Sequence, residues 1–87
     1  MKIKLFDLDR GVEVEIEIER EAHPTTIIDK LRAIGLLTHR ETAMIGVSLN
    51  RKQIWYVPAS TVEQLVAYVN QTKQTLCFRR FPIHKPG

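Results

Sequence analysis

The sequence predicts an α+β fold in which a helix packs on a mixed β-sheet, with elements in the order ββαββαβ. Three observations carry this prediction. Residues 12–19, VEVEIEIE, alternate strictly between β-branched residues and glutamates, the period of a half-buried strand. Ile27, Leu31 and Ile34 fall at i, i+4 and i+7, the period of a helix with one apolar face. Residues 75–81, TLCFRRF, supply a closing strand far along the chain from the first. At 87 residues, 44% of them hydrophobic and 26% charged, there is material for one domain. It is placed at residues 1–81, followed by a C-terminal tail, PIHKPG, at 82–87, that is either loose or bound to a partner.

The first strand is predicted over residues 2–8, KIKLFDL, with Ile3 and Leu5 on one face and Lys2, Lys4 and Phe6 on the other. Asp9, Arg10 and Gly11 form the hairpin turn, where Gly11 can take a positive φ. In the second strand Val12, Val14, Ile16 and Ile18 share a face, and four glutamates share the opposite one. Pairing Leu5 with Ile16 and Ile3 with Ile18 sets Lys4 against Glu17 and Lys2 against Glu19. A slip by one residue would oppose aliphatic side chains to glutamates, so the buried residues dictate the register. The glutamate row is a solvated strand face rather than a metal or acid–base site, because an open sheet offers no pocket.

His23-Pro24 ends the second strand, since the residue before proline avoids the α region. Thr25 or Thr26 caps the first helix, with Asp29 in its positive first turn. Ile28 lies beside the apolar stripe, and Gly35 stops the helix. Leu36 and Leu37 are apolar loop residues packed under the sheet, and residues 38–42 are a polar connection. Residues 43–49, AMIGVSL, form a strand with Ile45, Val47 and Leu49 on one face. A turn at 50–53 leads to a short strand, QIWYV, at 53–57, stopped by Pro58. Trp55 and Tyr56 there point opposite ways, so one packs and the other is accessible. Ser60 and Glu63 make a capping box for a second helix, whose Val62, Leu65, Val66 and Val69 repeat with helical period to about Asn70. In the closing strand Leu76 and Phe78 face the helix, while Cys77 and Arg79 face outward.

A hairpin, a helix crossing one face, two strands and a closing strand form the β-grasp order. The last strand then runs parallel to the first and beside it, through a helical crossover. On this order and on four segments the chain resembles the ubiquitin-like superfamily. These are MKIKLF at the start, TTIIDKLRAIGL over the first helix, AMIGVSLNRKQI over the third strand and its turn, and KQTLCFRRF at the last strand. The helix and third-strand segments also resemble bacterial sulfur carriers of that superfamily. The second helix, longer than ubiquitin's short one, departs from the pattern. The resemblance implies a diglycine end wherever a member is conjugated or carries sulfur. Here the chain reads Lys85-Pro86-Gly87, and glycines 11, 35, 46 and 87 include no adjacent pair. Conjugation and thiocarboxylate chemistry are therefore not expected, and the resemblance leaves a β-grasp module that binds a partner.

The formal net charge of +3 conceals an uneven distribution. Residues 1–29 hold eight acids and four bases, net −4; residues 30–87 hold two acids and nine bases, net +7. A single cysteine excludes an internal disulfide, and His23, His39 and His84 lack ligand spacing. Cys77 reads as an inert half-buried thiol. No glycine-rich phosphate loop or nucleophile–base pairing is present, so no enzyme activity, metal or cofactor is expected. No apolar run reaches membrane-span length, and no signal-peptide core precedes the first strand, which suggests a cytoplasmic protein without a membrane partner. The expected function is that of an adaptor or accessory subunit. It would bind a protein through the outward sheet face at Lys4, Phe6, Arg79 and Phe81, a basic–aromatic composition common at interface hot spots. Arg51, Lys52 and Trp55 form a secondary surface. The alternative is a nucleic-acid-binding module using the basic C-terminal part. A sulfur carrier or protein modifier is the third reading. Glu15, Glu17 and Glu19 discourage pairing at the second strand's edge, which leaves the fourth strand, with its aromatics, as the docking edge.

Overall fold

Four strands and two helices form from residues 1–83, the part of the chain described by this computed structural model. In chain order they are β1 (Lys2–Asp7), β2 (Val12–Glu17), α1 (Thr26–Ala33), β3 (Glu41–Ser48), α2 (Val62–Thr72) and β4 (Thr75–Pro82). The fold is α+β, with a mixed sheet in the order β2-β1-β4-β3. β1 pairs antiparallel with β2 and parallel with β4, and β4 pairs antiparallel with β3. The last strand in sequence therefore lies between β1 and β3. Both helices close the same core: Ile27 and Leu31 of α1 and Val62 and Leu65 of α2 pack with Leu5, Ile16, Leu76 and Phe78 of the sheet.

The hairpin register differs by two residues from the expected one. Ile3 faces Ile16, Leu5 faces Val14, and Lys2 and Lys4 face Glu17 and Glu15. A slip of two keeps every side chain on its own face, so the division between aliphatics and glutamates survives while the partners change. The turn sets the slip. Asp7 Oδ1 accepts from the backbone N–H groups of Asp9 (3.1 Å) and Arg10 (3.2 Å), and its carbonyl accepts from Gly11 N–H (2.8 Å). These bonds need a four-residue connection, Leu8–Gly11, with Gly11 at φ +68°. Lys4 consequently reaches diagonally to Glu13 at 3.9 Å, and Glu17 lies 3.3 Å from the N-terminal amine.

Helix α1 ends one residue before Ile34, which is exposed rather than part of the apolar stripe. Gly35 takes φ +83°, and the N–H groups of Leu36 and Leu37 both return to the carbonyl of Leu31, which turns Leu37 into the core. Neither threonine hydroxyl caps α1. His23 Nδ1 instead lies 3.2 Å from Thr25 N and 2.9 Å from its hydroxyl. At α2 the cap is Thr61 rather than Ser60: its hydroxyl accepts from Gln64 N–H, and Gln64 Oε1 accepts from Ser60 N–H. The predicted box is thus moved along by one residue, with the returning side chain taking the N–H of Ser60 rather than that of the cap itself. The helix also runs past Asn70 to Thr72 and is closed by Lys73 at φ 58°.

The strand predicted over 53–57 is reduced to one bridge, between Val47 and Trp55. Ser48 Oγ accepts from Arg51 N–H, and Asn50 Oδ1 accepts from Lys52 and Gln53 N–H. These bonds, with Arg51 at φ 59°, curl the chain off the end of β3, so it returns to the strand only at Trp55 before Pro58. Leu49 lies beyond the strand end and is 76% exposed, so it does not continue the face shared by Ile45 and Val47. Trp55 and Tyr56 are both exposed, at 61% and 68%, so the expectation that one of them packs does not hold. Pro82 belongs to β4, and Ile83 N–H donates to the Arg40 carbonyl at 2.8 Å, so the ordered sheet extends past residue 81. The remainder of the predicted tail, residues 84–87, lies outside the described residues. Among the described residues no helix is long and apolar enough to cross a membrane.

Candidate functional site

Alternation along the strands sorts the sheet into two faces. Ile3, Leu5 and Asp7 of β1 and Leu76, Phe78 and Arg80 of β4 point to the helices. Lys2, Lys4 and Phe6, with Cys77, Arg79 and Phe81, point the other way. Register places Phe6 beside Cys77 across the parallel pair and Phe81 beside Thr42 across the antiparallel one. The four residues expected to bind a partner, Lys4, Phe6, Arg79 and Phe81, therefore do share one face.

That face is partly occupied by the turn after β3. The Arg51 guanidinium lies over the Phe6 ring, 4.7 Å from its centroid, within cation–π range. Arg79 Nη2 donates to the Lys52 carbonyl at 2.7 Å. Two surfaces expected to be separate, the outward sheet face and the Arg51–Lys52–Trp55 turn, are thus joined into one. Phe6 and Arg79 hold the turn in place, while Lys4, Trp55 and Phe81 remain exposed, Phe81 at 42%. The result is a mixed surface of exposed aromatics and positive charge, bordered along β2 by the glutamate row.

The helix-facing side holds a polar cluster that the sequence reading missed. Arg80 binds Asp7 through both carboxylate oxygens, Nη1 to Oδ1 and Nη2 to Oδ2, each at 2.7 Å. Arg80 Nη1 also donates to Asp9 Oδ2 at 3.2 Å, and Nε donates to the Leu36 carbonyl at 2.8 Å. Asp7 is fully buried and the Arg80 side chain nearly so. Burial pushes the Asp7 carboxyl up. The bonds from Arg80 and from Arg10 and Asp9 N–H outweigh that, and hold it below its ordinary value. Both Asp7 carboxylate oxygens and all three Arg80 side-chain nitrogens bond to other protein groups, so the cluster ties the first turn and the α1–β3 connection to β4. The signal in the sequence was the placement of Asp7 at the third inward position of β1, after Ile3 and Leu5.

Cys77 is wholly buried on the outward side of β4, with Sγ 3.7 Å from the Gly46 carbonyl. Burial pushes its thiol up to about 11 against the opposing charge of Arg79. A thiol-specific reagent at neutral pH is expected to label Cys77 only after denaturant is added; rapid labelling of the native protein would contradict this placement. No group of three potential metal ligands occurs among the described residues.

The outer edge of β3 is the remaining feature. Val47 gives both its N–H and its carbonyl to Trp55, at 2.9 and 2.8 Å, so odd-numbered residues of β3 direct their backbone groups away from β4. Glu41 satisfies its own through Thr38 and Arg32. Between them, the outward N–H and C=O groups of Ala43 and Ile45 have no partner among the described residues. They border an apolar groove of about 240 Å³, walled by His23, Pro24 and Ile28 on one side and by Tyr56, Val57 and Ala59 on the other. Comparison with protein-family models, curated proteins and solved structures gives no match.

Proposed function

We propose that this chain is a non-enzymatic protein-binding module of the β-grasp, ubiquitin-like type, acting as an adaptor or accessory subunit. The observation that carries the reading is the joined surface at the turn after β3. There exposed Trp55, Tyr56 and Leu49 adjoin Arg51 and Lys52, and Arg51 in turn caps Phe6. Large accessible aromatics beside arginine are the composition of residues that dominate binding energy at interfaces. Here they sit on a segment that makes a single bridge to the sheet and contributes little to the core. On the opposite side both Asp7 oxygens are taken up by Arg80, and the Cys77 thiol is buried, which supports binding rather than catalysis. The parallel contact of first and last strands beneath a helical crossover supports the β-grasp assignment.

The test is capture of partners on immobilised protein, wild type against a Trp55→Ala, Phe81→Ala double variant, with nuclease-treated extract. Both side chains are exposed, so the variant keeps its fold. A protein retained by the wild type and lost by the variant is the expected result. No retained protein, or retention indifferent to both substitutions, would overturn the reading. Retention abolished by nuclease would assign the basic surface to nucleic acid instead.

A further inference from the structure

We infer that the open edge of β3 at Ala43 and Ile45 receives an extended apolar peptide segment of the protein partner, added to the sheet as a fifth strand. The inference rests on the protein-binding reading and names what that partner presents. Two residues in succession on one side of β3 offer an N–H and a C=O each, with no group among the described residues to meet them. Four backbone groups at strand spacing are met singly by water or, all in register, by another extended backbone. The adjoining groove is lined mainly by Pro24, Ile28, Ile45, Val57, Ala59 and Leu65, so it suits an aliphatic side chain of that strand rather than a charged one.

The two edges of the sheet differ in how they are defended. β2 carries Glu13, Glu15 and Glu17 along its length, a row of charges that discourages strand addition. The window from Thr42 to Ser48, TAMIGVS, has no charge and no proline. The occupant is a single strand and not a second copy of this chain. The unpaired backbone groups belong to residues that line a groove between the start of α1 and the 56–59 segment, Ala43 and Ile45. A lone extended segment can enter between those walls. A second β3 would bring its own walls with it and collide with them.

The test starts from a random-peptide display library selected on the full chain, with the enriched peptides then synthesised. Peptides with apolar residues at every second position are expected, and they should slow hydrogen exchange at the Ala43 and Ile45 amides. N-methylation of the peptide at alternate residues should weaken binding about tenfold in one register and leave the other unchanged, since only one set of N–H groups faces β3. Ala43→Pro removes an N–H that points away from β4, so the sheet is retained and peptide affinity should fall by a similar factor, about tenfold. Absence of enriched peptides, no protection at these amides, or equal affinity for Ala43→Pro would each overturn the inference. So would a concentration-dependent dimer lost in Ala43→Pro, which would assign the edge to a second copy. If Ala43→Pro still captures the partner that Trp55→Ala, Phe81→Ala loses, strand addition fails while the binding reading stands.

Discussion

Arg80→Met is expected to remove about 3–5 kcal/mol of stability, because it leaves the buried Asp7 carboxylate without its partner. Few single changes in a domain this small can cost more, since total stability is on the order of 5–15 kcal/mol. Urea unfolding followed by circular dichroism measures the loss directly. The double variant Asp7→Asn, Arg80→Met should regain much of it. Asparagine keeps the acceptor for Asp9 and Arg10 N–H, and no uncompensated charge remains. A double variant no more stable than Arg80→Met alone would mean that the ion pair is not the origin of the loss. The same pair sets a pH dependence. The Asp7 carboxyl is held below its ordinary value in the folded protein, so its contribution is complete above the unfolded carboxylate value, near pH 4. It is lost as pH falls through the lower folded value. The double variant should therefore show a shallower loss of stability on acidification than the wild type.

Gly46→Ala is expected to cost about 1–3 kcal/mol through overpacking at a single methyl group. A Cβ at this position would press on the Trp55 carbonyl oxygen and lie 2.9 Å from Ile54 Cγ1. The obstructing atoms include backbone, which cannot move aside as a flexible side chain would. Relief comes from lifting the 54–57 segment off β3, so the Val47–Trp55 bridge should open. The measurable signs are a shift in Trp55 fluorescence and faster hydrogen exchange at the Val47 amide, together with a lower urea midpoint. An unchanged Val47 amide would show that the strain is absorbed elsewhere. Opening this bridge would also free a third residue of the β3 edge.

The parts of the fold that could be read from the sequence are those written in local periodicity. The alternation of VEVEIEIE and the spacing of Ile27, Leu31, Val62 and Leu65 identified strands, helices and buried faces, because a side chain's face depends only on its neighbours. What escaped was set by particular polar atoms. The two-residue slip of the hairpin follows from the Asp7 carboxylate binding the turn, which alternation cannot register, because faces repeat every two residues. The 53–57 segment has the composition of a strand, but Asn50 and Ser48 bend the chain away before it can pair. Of the candidate surface, Lys4, Phe6, Arg79 and Phe81 were assigned correctly to one face by counting along strands. That Arg51 and Lys52 would fold onto Phe6 and Arg79 depends on the positive φ of Arg51, which no pattern around it signals. The free edge of β3 became visible only once the expected neighbouring strand proved to be a single bridge.

The position of β4 has a consequence for how the chain is made. The strand that completes the sheet is synthesised last, yet it sits at the centre, between β1 and β3. Until it emerges, the first hairpin and β3 have no sheet in common, and both sides of the vacant position expose backbone edges. Folding then waits on contacts between β1 and β4, which lie far apart along the sequence, such as Arg80 with Asp7 and Leu8 N–H with the Phe78 carbonyl. Contacts of such long sequence separation slow the search for the native topology. A nascent chain halted before Thr75 holds two halves of a sheet with nothing to join them, and stays prone to aggregation until the closing strand is supplied.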